Sequence, residues 1–292
     1  MTGYTYARAK SLEAAIDLSL RSAGNAHFLA GGTALGLMQR QGLIEPGLIV
    51  DLAAVPGLDA IEELDGVVSI GALCTLRRVE LDAIVARRLP ALAATIRHVA
   101  SVRVRNQATL GGNLAHADPA QDPPPVLLVL DAALRIAGPG GQRRVALAEF
   151  FVDYFETVLE PGEIVTHVDV PIPAPGSRVS YEKFLPRTVD DYATVSVAVR
   201  IDRGADGRIA DVRIALAAVG PVALRIPTAE GLVRGHAPDE IDLEAVAAAV
   251  RDTIEPPDDV RGSAAYKREM AGVWVRRVVG RLLRDIGTEA AG

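Results

Sequence analysis

The chain of 292 residues contains one cysteine, Cys74, which excludes an internal disulfide and any four-cysteine iron–sulfur cluster built by this chain alone. Cys74 sits in an apolar, strand-like run, so a buried structural thiol is expected there. There is no excess of positive charge: 31 basic residues against 37 acidic ones leave −6, which offers nothing to a polyanion, and no nucleic-acid partner is expected. No apolar run approaches the roughly twenty residues of a membrane span, so none is expected. The first residues, Met1 to Arg8, show no apolar signal region, and a cytoplasmic location is the expectation. Also missing are a G-x-G-x-x-G fingerprint, a P-loop, a Ser-His-Asp order and a metal-spaced set of His and Cys. His27, His98, His116 and His167 are scattered, and His236 lies in a polar Gly-His-Ala-Pro segment.

Two stretches stand out against these absences. Ala30-Gly31-Gly32-Thr33 follows the apolar pair Phe28-Leu29 and precedes Ala34-Leu35-Gly36-Leu37-Met38, where apolar residues recur at helical spacing. This reads as strand, tight turn and helix. Two glycines allow positive φ and close approach to a ligand, and Thr33 can cap the helix so that its free N–H groups face an anion. An ordinary strand-to-helix turn has the same signature. The second stretch, Thr109 to Asp122, holds Gly111, Gly112, Asn113, His116, Asp118 and Asp122 but few long aliphatic residues. A ligand-binding loop explains that composition more readily than packing does. Asp122 has a competing role as the N-cap of a helix beginning at Pro123.

In chain order, Ser11 caps a helix with Leu12, Ala15, Ile16 and Leu20 on one face, and buried strands follow at 28–29 and 48–52. Asp65-Gly66 joins two short strands as a hairpin, and helices are expected over 76–84, 90–100 and 126–130. Residues 134–137 and 164–170 read as strands. Phe150, Phe151, Tyr154 and Phe155 gather four of the few aromatics, for which core packing is the expectation. Pro171, Pro173, Pro175 and Gly176 mark a junction. Beyond it, strands over 193–201 and 209–219 meet through Asp206-Gly207, and helices over 243–250 and 264–286 close the chain, the last with arginines that meet solvent or a partner. A chain with no reactive constellation of its own, but two loops suited to a diphosphate, points to a cofactor that brings the chemistry.

Ala30-Gly31-Gly32-Thr33 and Arg105-Asn106-x-Ala108-Thr109-Leu110-Gly111-Gly112-Asn113 resemble the two flavin-binding signatures of the FAD subunit of molybdenum hydroxylases, the xanthine dehydrogenase and carbon monoxide dehydrogenase group. The resemblance extends through Asp51-Leu52, Val55 to Leu58, Ile70-Gly71-Ala72, Pro161-Gly162-Glu163 and Asp191-Tyr192-Ala193, and so covers nearly the whole chain. It implies an α+β fold: a two-part, PCMH-type FAD-binding domain over 1–175, divided at about 55, then a C-terminal domain of antiparallel sheet plus helices over 176–292. It also implies an oxidoreductase that carries FAD as an electron-transfer flavoprotein. Molybdopterin would belong to a large partner subunit and two [2Fe–2S] clusters to a small one, in a dimer of heterotrimers. A stand-alone FAD-dependent oxidoreductase of the same general fold is the alternative, and a non-catalytic nucleotide-binding scaffold a third possibility.

For the site, the resemblance implies that backbone around Ala30, Gly31, Gly32, Thr33, Ala34, Leu35, Gly111 and Gly112 wraps the diphosphate. Thr109 and Asn113 would add side-chain hydrogen bonds, with His116 and Asp118 in the same loop. Asp122 would accept from a ribose hydroxyl, and backbone at Ile164 and Val165 would approach the adenine. Lys183 matches a lysine near the isoalloxazine ring, where a cation favours the reduced anionic flavin; otherwise it is a surface lysine on a strand. Tyr192 matches a position that shields one ring face, or is a core tyrosine. A covalent link through His116 is not expected. No residue of this chain is assigned as catalytic or metal-binding.

Overall fold

The computed structural model describes residues 3–22, 24–186 and 191–288. Its first unit contains β1 (Thr5–Arg8), α1 (Leu12–Arg21), β2 (Ala26–Leu29), α2 (Thr33–Arg40) and β3 (Leu48–Asp51). Its three strands form a parallel sheet in the order β1-β3-β2. Ser11 caps α1 as expected, accepting from the Ala14 N–H.

The second unit opens with the hairpin β4 (Ile61–Leu64) and β5 (Val67–Gly71), whose turn residues Asp65 and Gly66 both have positive φ, as a twist-compatible two-residue turn requires. Helices α3 (Leu76–Leu81), α4 (Ala83–Arg88), α5 (Pro90–Ile96), α6 (Val102–Arg105), α7 (Leu110–His116) and α8 (Pro123–Val129) follow. Then come β6 (Ala133–Gly138), β7 (Gly141–Ala146), β8 (Phe151–Asp153), β9 (Glu156–Thr157) and β10 (Ile164–Pro171). An antiparallel five-stranded sheet in the order β4-β5-β10-β6-β7 forms the floor on which the helices pack.

Several expected boundaries change. The helix expected over 76–84 breaks at Asp82, whose carboxylate accepts from the Ile84 and Val85 N–H groups and starts α4 afresh. The helix expected to reach residue 100 stops at Ile96, and the chain turns through Ala100 at φ 42°. Thr109 to His116, read from composition as loop, is largely helix. Thr109 caps it by accepting from Gly112, while Leu110 and Leu114 bury their side chains. The expected core aromatics divide: Phe150 is fully buried, but Phe155 is 56% exposed.

The third unit has β11 (Arg178–Phe184), β12 (Val195–Arg203), β13 (Ile209–Ala217) and β14 (Leu224–Arg225), with α9 (Pro227–Gly231), α10 (Leu243–Thr253) and α11 (Ala264–Thr288). Its sheet is antiparallel, in the order β11-β12-β13-β14. Alternation along the two central strands explains how it packs. Val195, Val197, Val199 and Ile201 join Val212, Ile214 and Leu216 in a core with α10 and α11. The opposite face presents Ala198, Ala215 and Ala217, small enough for α8 of the second unit to lie close. Asp131, just after α8, sits among Arg200, Arg213 and Arg225 and ties the two units electrostatically.

Burial of two histidines gives a pH prediction. Burial holds both His116 and His167 below the usual imidazole value, with Arg135 adding to the effect at His167. A folded-state pKa below the unfolded one means stability that is present above about 6.5 and is lost as pH falls through the folded values. The melting temperature is therefore expected to fall between about pH 7.5 and about pH 5.5, and His167→Asn to flatten that slope. A flat or rising melting temperature across this window contradicts the assignment.

Candidate functional site

A cavity of about 610 Å³ lies where the three units meet. Its wall takes the turn between β2 and α2, α7, the first residues of β10, Lys183 on β11, and Asp191-Tyr192. Of the residues expected at a site, Ala30, Gly31, Gly32, Thr33, Ala34, Leu35, Thr109, Gly111, Gly112, Asn113, His116, Asp122, Ile164, Val165, Lys183 and Tyr192 all line it. Asp118 does not: it accepts from the Ala120 N–H in its own turn, and from Tyr192.

The two glycine-containing stretches, 80 positions apart at Gly31 and Gly111, are packed against each other. A Cβ on Gly31 would stand 1.9 Å from the Gln107 carbonyl oxygen, and one on Gly111 would stand 2.4 Å from the Ala72 Cβ. These glycines are therefore needed for backbone contact as well as for any ligand. Gly32, rather than Thr33, is the N-cap of α2, in the left-handed region at φ 71°. Its Cβ-free backbone makes that turn without strain, so Thr33 becomes the first helical residue.

The N-termini of the two site helices differ in a way composition does not show. At α7 the donors are spent: Leu110 N–H donates to Cys74, Gly111 N–H to Ala72, and Gly112 N–H to the Thr109 hydroxyl. At α2 the N–H groups of Gly32, Thr33, Ala34 and Leu35 donate to no protein atom among the described residues, and the first intrahelical bond is made by Gly36. Four free donors at the positive end of a helix dipole make an anion site. The expectation that both loops offer backbone donors is corrected accordingly: the free N–H groups are at the start of α2, and those of Leu110, Gly111 and Gly112 are engaged within the protein. The Asn113 Oδ1 atom on α7 and the Gln121 Oε1 atom in the segment before α8 are buried without a hydrogen-bond partner. A buried acceptor left empty costs about 1–3 kcal/mol, so both are poised for a donor supplied by a ligand. Gln121 had no glycine-rich signature to mark it in the sequence.

Asp122 occupies the N-cap position of α8 as expected, but its side chain makes no capping bond. Its carboxylate instead accepts from Lys183 Nζ at 2.9 Å and from the Tyr181 hydroxyl. Lys183 also donates to the His98 carbonyl at 2.9 Å. With side-chain exposures of 3% and 6%, Lys183 and Asp122 form a buried ion pair linking the second and third units. Burial pushes the Asp122 carboxyl and the Tyr181 phenol both upward. Two consequences correct the sequence-based picture. Lys183 is not an uncompensated cation. Nor do Asp122 and Lys183 stand apart as two separate sites, since their side chains are paired at 2.9 Å.

The remaining wall is apolar and carries no motif in the sequence: it includes Leu76, Val99, Ala100 and Val104 together with Leu37, Met38 and Phe28. Phe155 lines the cavity and packs against His116 with ring centroids 5.3 Å apart. Tyr192 is 41% exposed, under the Arg261 guanidinium at 5.2 Å, and burial together with Asp118 raises its phenol to about 12. It is a cavity-wall residue, not a core one. Cys74 is buried, and burial raises its thiol to about 11, which leaves it the inert structural thiol expected.

A cavity with an anion-binding helix start, unpaired buried amide oxygens and a largely apolar wall has the features of a nucleotide-cofactor site in an α+β protein. Comparison with known proteins specifies it. Residues 2–173 match the family described as "FAD binding domain in molybdopterin dehydrogenase", and residues 180–282 match the "CO dehydrogenase flavoprotein C-terminal domain". The carbon monoxide dehydrogenase medium chain of Hydrogenophaga pseudoflava is 34% identical over 276 residues, 94% of this chain and 96% of that one. The nicotine 6-hydroxylase medium subunit of Paenarthrobacter nicotinovorans is 36% identical over 275 residues, 94% of this chain and 95% of that one. A cyanide-inactivated Cu,Mo-CO dehydrogenase structure superposes with a TM-score of 0.92 at 33% identity, covering 97% of this chain and 99% of that one. The chain belongs to the family of FAD-binding medium subunits of molybdenum hydroxylases, the xanthine dehydrogenase and CO dehydrogenase group, and is an oxidoreductase flavoprotein. Among the described residues no helix is long and apolar enough to cross a membrane.

Proposed function

We propose that this chain is the electron-transfer subunit of a three-subunit molybdenum hydroxylase. In that assembly it takes electrons from [2Fe–2S] clusters of a small partner, fed by a molybdopterin centre in a large partner, and delivers them to an external acceptor. A dimer of such heterotrimers in the cytoplasm is the arrangement proposed. The observation that carries the reading is the pairing of four free N–H groups at the start of α2 with the unpaired amides of Asn113 and Gln121 in one cavity.

Bound FAD supplies the redox chemistry, accepting two electrons and releasing them singly or as hydride. The residues of the chain hold and insulate it. Gly32 to Leu35 present backbone donors to the diphosphate. The Thr109 hydroxyl, which accepts from Gly112, keeps its proton for a further hydrogen bond and would donate it to the cofactor. Asn113 Oδ1 and Gln121 Oε1, buried and unpaired, would accept from donors of the cofactor. Backbone at Ile164 and Val165, where β10 has a register shift after Val165, would approach the adenine. Lys183 and Asp122, a neutral pair, would adjoin the ring end of the cofactor, and Tyr192 would help to enclose it. The apolar side chains of Leu76, Val99 and Val104 exclude water from that end.

Co-expression with the two partner genes tests the reading. The expected product is one assembly containing this chain, FAD, iron and sulfide. A chain that purifies alone with FAD and oxidises or reduces a small substrate with no iron or molybdenum present supports the stand-alone oxidoreductase instead.

A further inference from the structure

Between α5 and α6 the chain makes a turn that the cavity depends on. Val99 and Ala100 form part of the apolar wall, and Ala100 is held at φ 42°, a left-handed conformation that a residue with a Cβ rarely adopts. Three consecutive carbonyls of this turn are captured by two cations. Lys183 takes His98 at 2.9 Å, while Arg105 Nη1 takes Val99 at 2.9 Å and Ala100 at 2.8 Å. Arg105 does not reach the cavity itself. It is anchored from behind by Glu80, which accepts from Arg105 Nε at 3.1 Å and is also paired with Arg77 at 2.8 Å. The side chains of Arg105 and Glu80 are only 11% and 5% exposed. Such a forked, charge-assisted clamp is the kind of restraint that keeps an unfavourable turn in place.

We propose that Arg105 is a positioning residue for the cofactor: through the Val99 and Ala100 carbonyls it sets the wall against the isoalloxazine end of the cavity, and so sets both FAD affinity and the environment of the bound ring. This rests on the reading that the cavity holds FAD with its ring beside Lys183. The geometry also explains why the role belongs to arginine. A lysine keeps the charge opposite Glu80, but its single ammonium cannot span Glu80 and both carbonyls as the planar fork does.

The test compares Arg105→Lys with the unsubstituted chain and with Arg103→Lys, an exposed position on the same helix. Each full-length apo-protein is titrated with FAD. At saturation the visible circular dichroism and the reduction potential of the bound flavin are measured, and amide exchange over 98–101 is followed without FAD. Arg105→Lys is expected to bind FAD at least tenfold more weakly, to expose the 98–101 amides to faster exchange, and to shift the saturated flavin dichroism and potential. Arg103→Lys is expected to match the unsubstituted chain in all of these. Unchanged dichroism and potential at saturation in Arg105→Lys overturn the proposal, even if overall stability falls, because they reduce Arg105 to a folding role. Should Arg105→Lys unfold, Glu80→Gln keeps the arginine and loosens its anchor; it is expected to shift the same two signals less, and unchanged signals there also overturn it. If the unsubstituted chain binds no FAD, the flavin reading fails before any variant is compared.

Discussion

Replacing Gly31 with alanine is expected to abolish measurable FAD binding and to destabilise the chain by about 2–3 kcal/mol or more, beyond what loss of a ligand contact explains. The new Cβ would stand 1.9 Å from the Gln107 carbonyl oxygen, 2.7 Å from its carbon and 2.9 Å from the Ala108 Cα. All three are backbone atoms, so no rotamer change relieves the clash. The turn before α2 must then retreat from the segment before α7, and the cavity they share opens along its length. Gly36, in the middle of α2, is the internal comparison: a Cβ there meets nothing within 4 Å. Gly36→Ala is expected to leave FAD binding intact and to gain up to about 1 kcal/mol from helix propensity. Flavin titration and thermal unfolding of the two variants read both effects. Equal behaviour of the two would mean that the loops are not held together as described.

Lys183→Met should cost about 3–5 kcal/mol, the usual penalty for removing one partner of a buried ion pair, and lower the melting temperature by roughly 10 °C. The loss comes from Asp122, left buried with only the Tyr181 hydroxyl for a partner. Because burial already raises the Asp122 carboxyl, the variant can relieve itself by taking up a proton. A carboxyl whose folded pKa lies above its unfolded one contributes stability at low pH that is lost as pH rises through the folded value. The deficit of Lys183→Met should therefore be smaller at about pH 5 than at about pH 8. Adding Asp122→Asn should recover a large part of it at the higher pH. A deficit independent of pH, or no recovery in the double variant, would place the effect elsewhere.

These expectations show which parts of the site the sequence makes legible. Gly31, Gly32, Gly111, Gly112 and Asn113 stand out because local composition has few other reasons to put small and amide residues between apolar runs, and all five line the cavity. The same composition hides the conformation of the second stretch. Gly-Gly-Asn is poor helix material, yet the Thr109 cap and the bonds to Cys74 and Ala72 impose the helix from outside. Contacts between distant segments were beyond local reasoning altogether. Nothing near Asp122 announces Lys183, 61 positions away. Nothing in Val99-Ala100 distinguishes a cavity wall from core, because the left-handed turn is fixed by Arg105 and Lys183. The alternation of Val or Ile with Ala along β12 and β13 carried information on two unlike partners, α8 and the closing helices, that a simple strand pattern does not separate.

The most direct measurement for the whole account is a parallel titration of the apo-chain with FAD, FMN and ADP. Under the proposed function, one cavity lined by Lys183, the free donors of α2, and Ile164 and Val165 is to engage the whole dinucleotide. One FAD per chain should bind, non-covalently and with quenched flavin fluorescence, at least about a hundredfold more tightly than FMN or ADP, since either half forfeits several kcal/mol of contact. FMN binding as tightly as FAD, or ADP binding with no response to flavin, would contradict it.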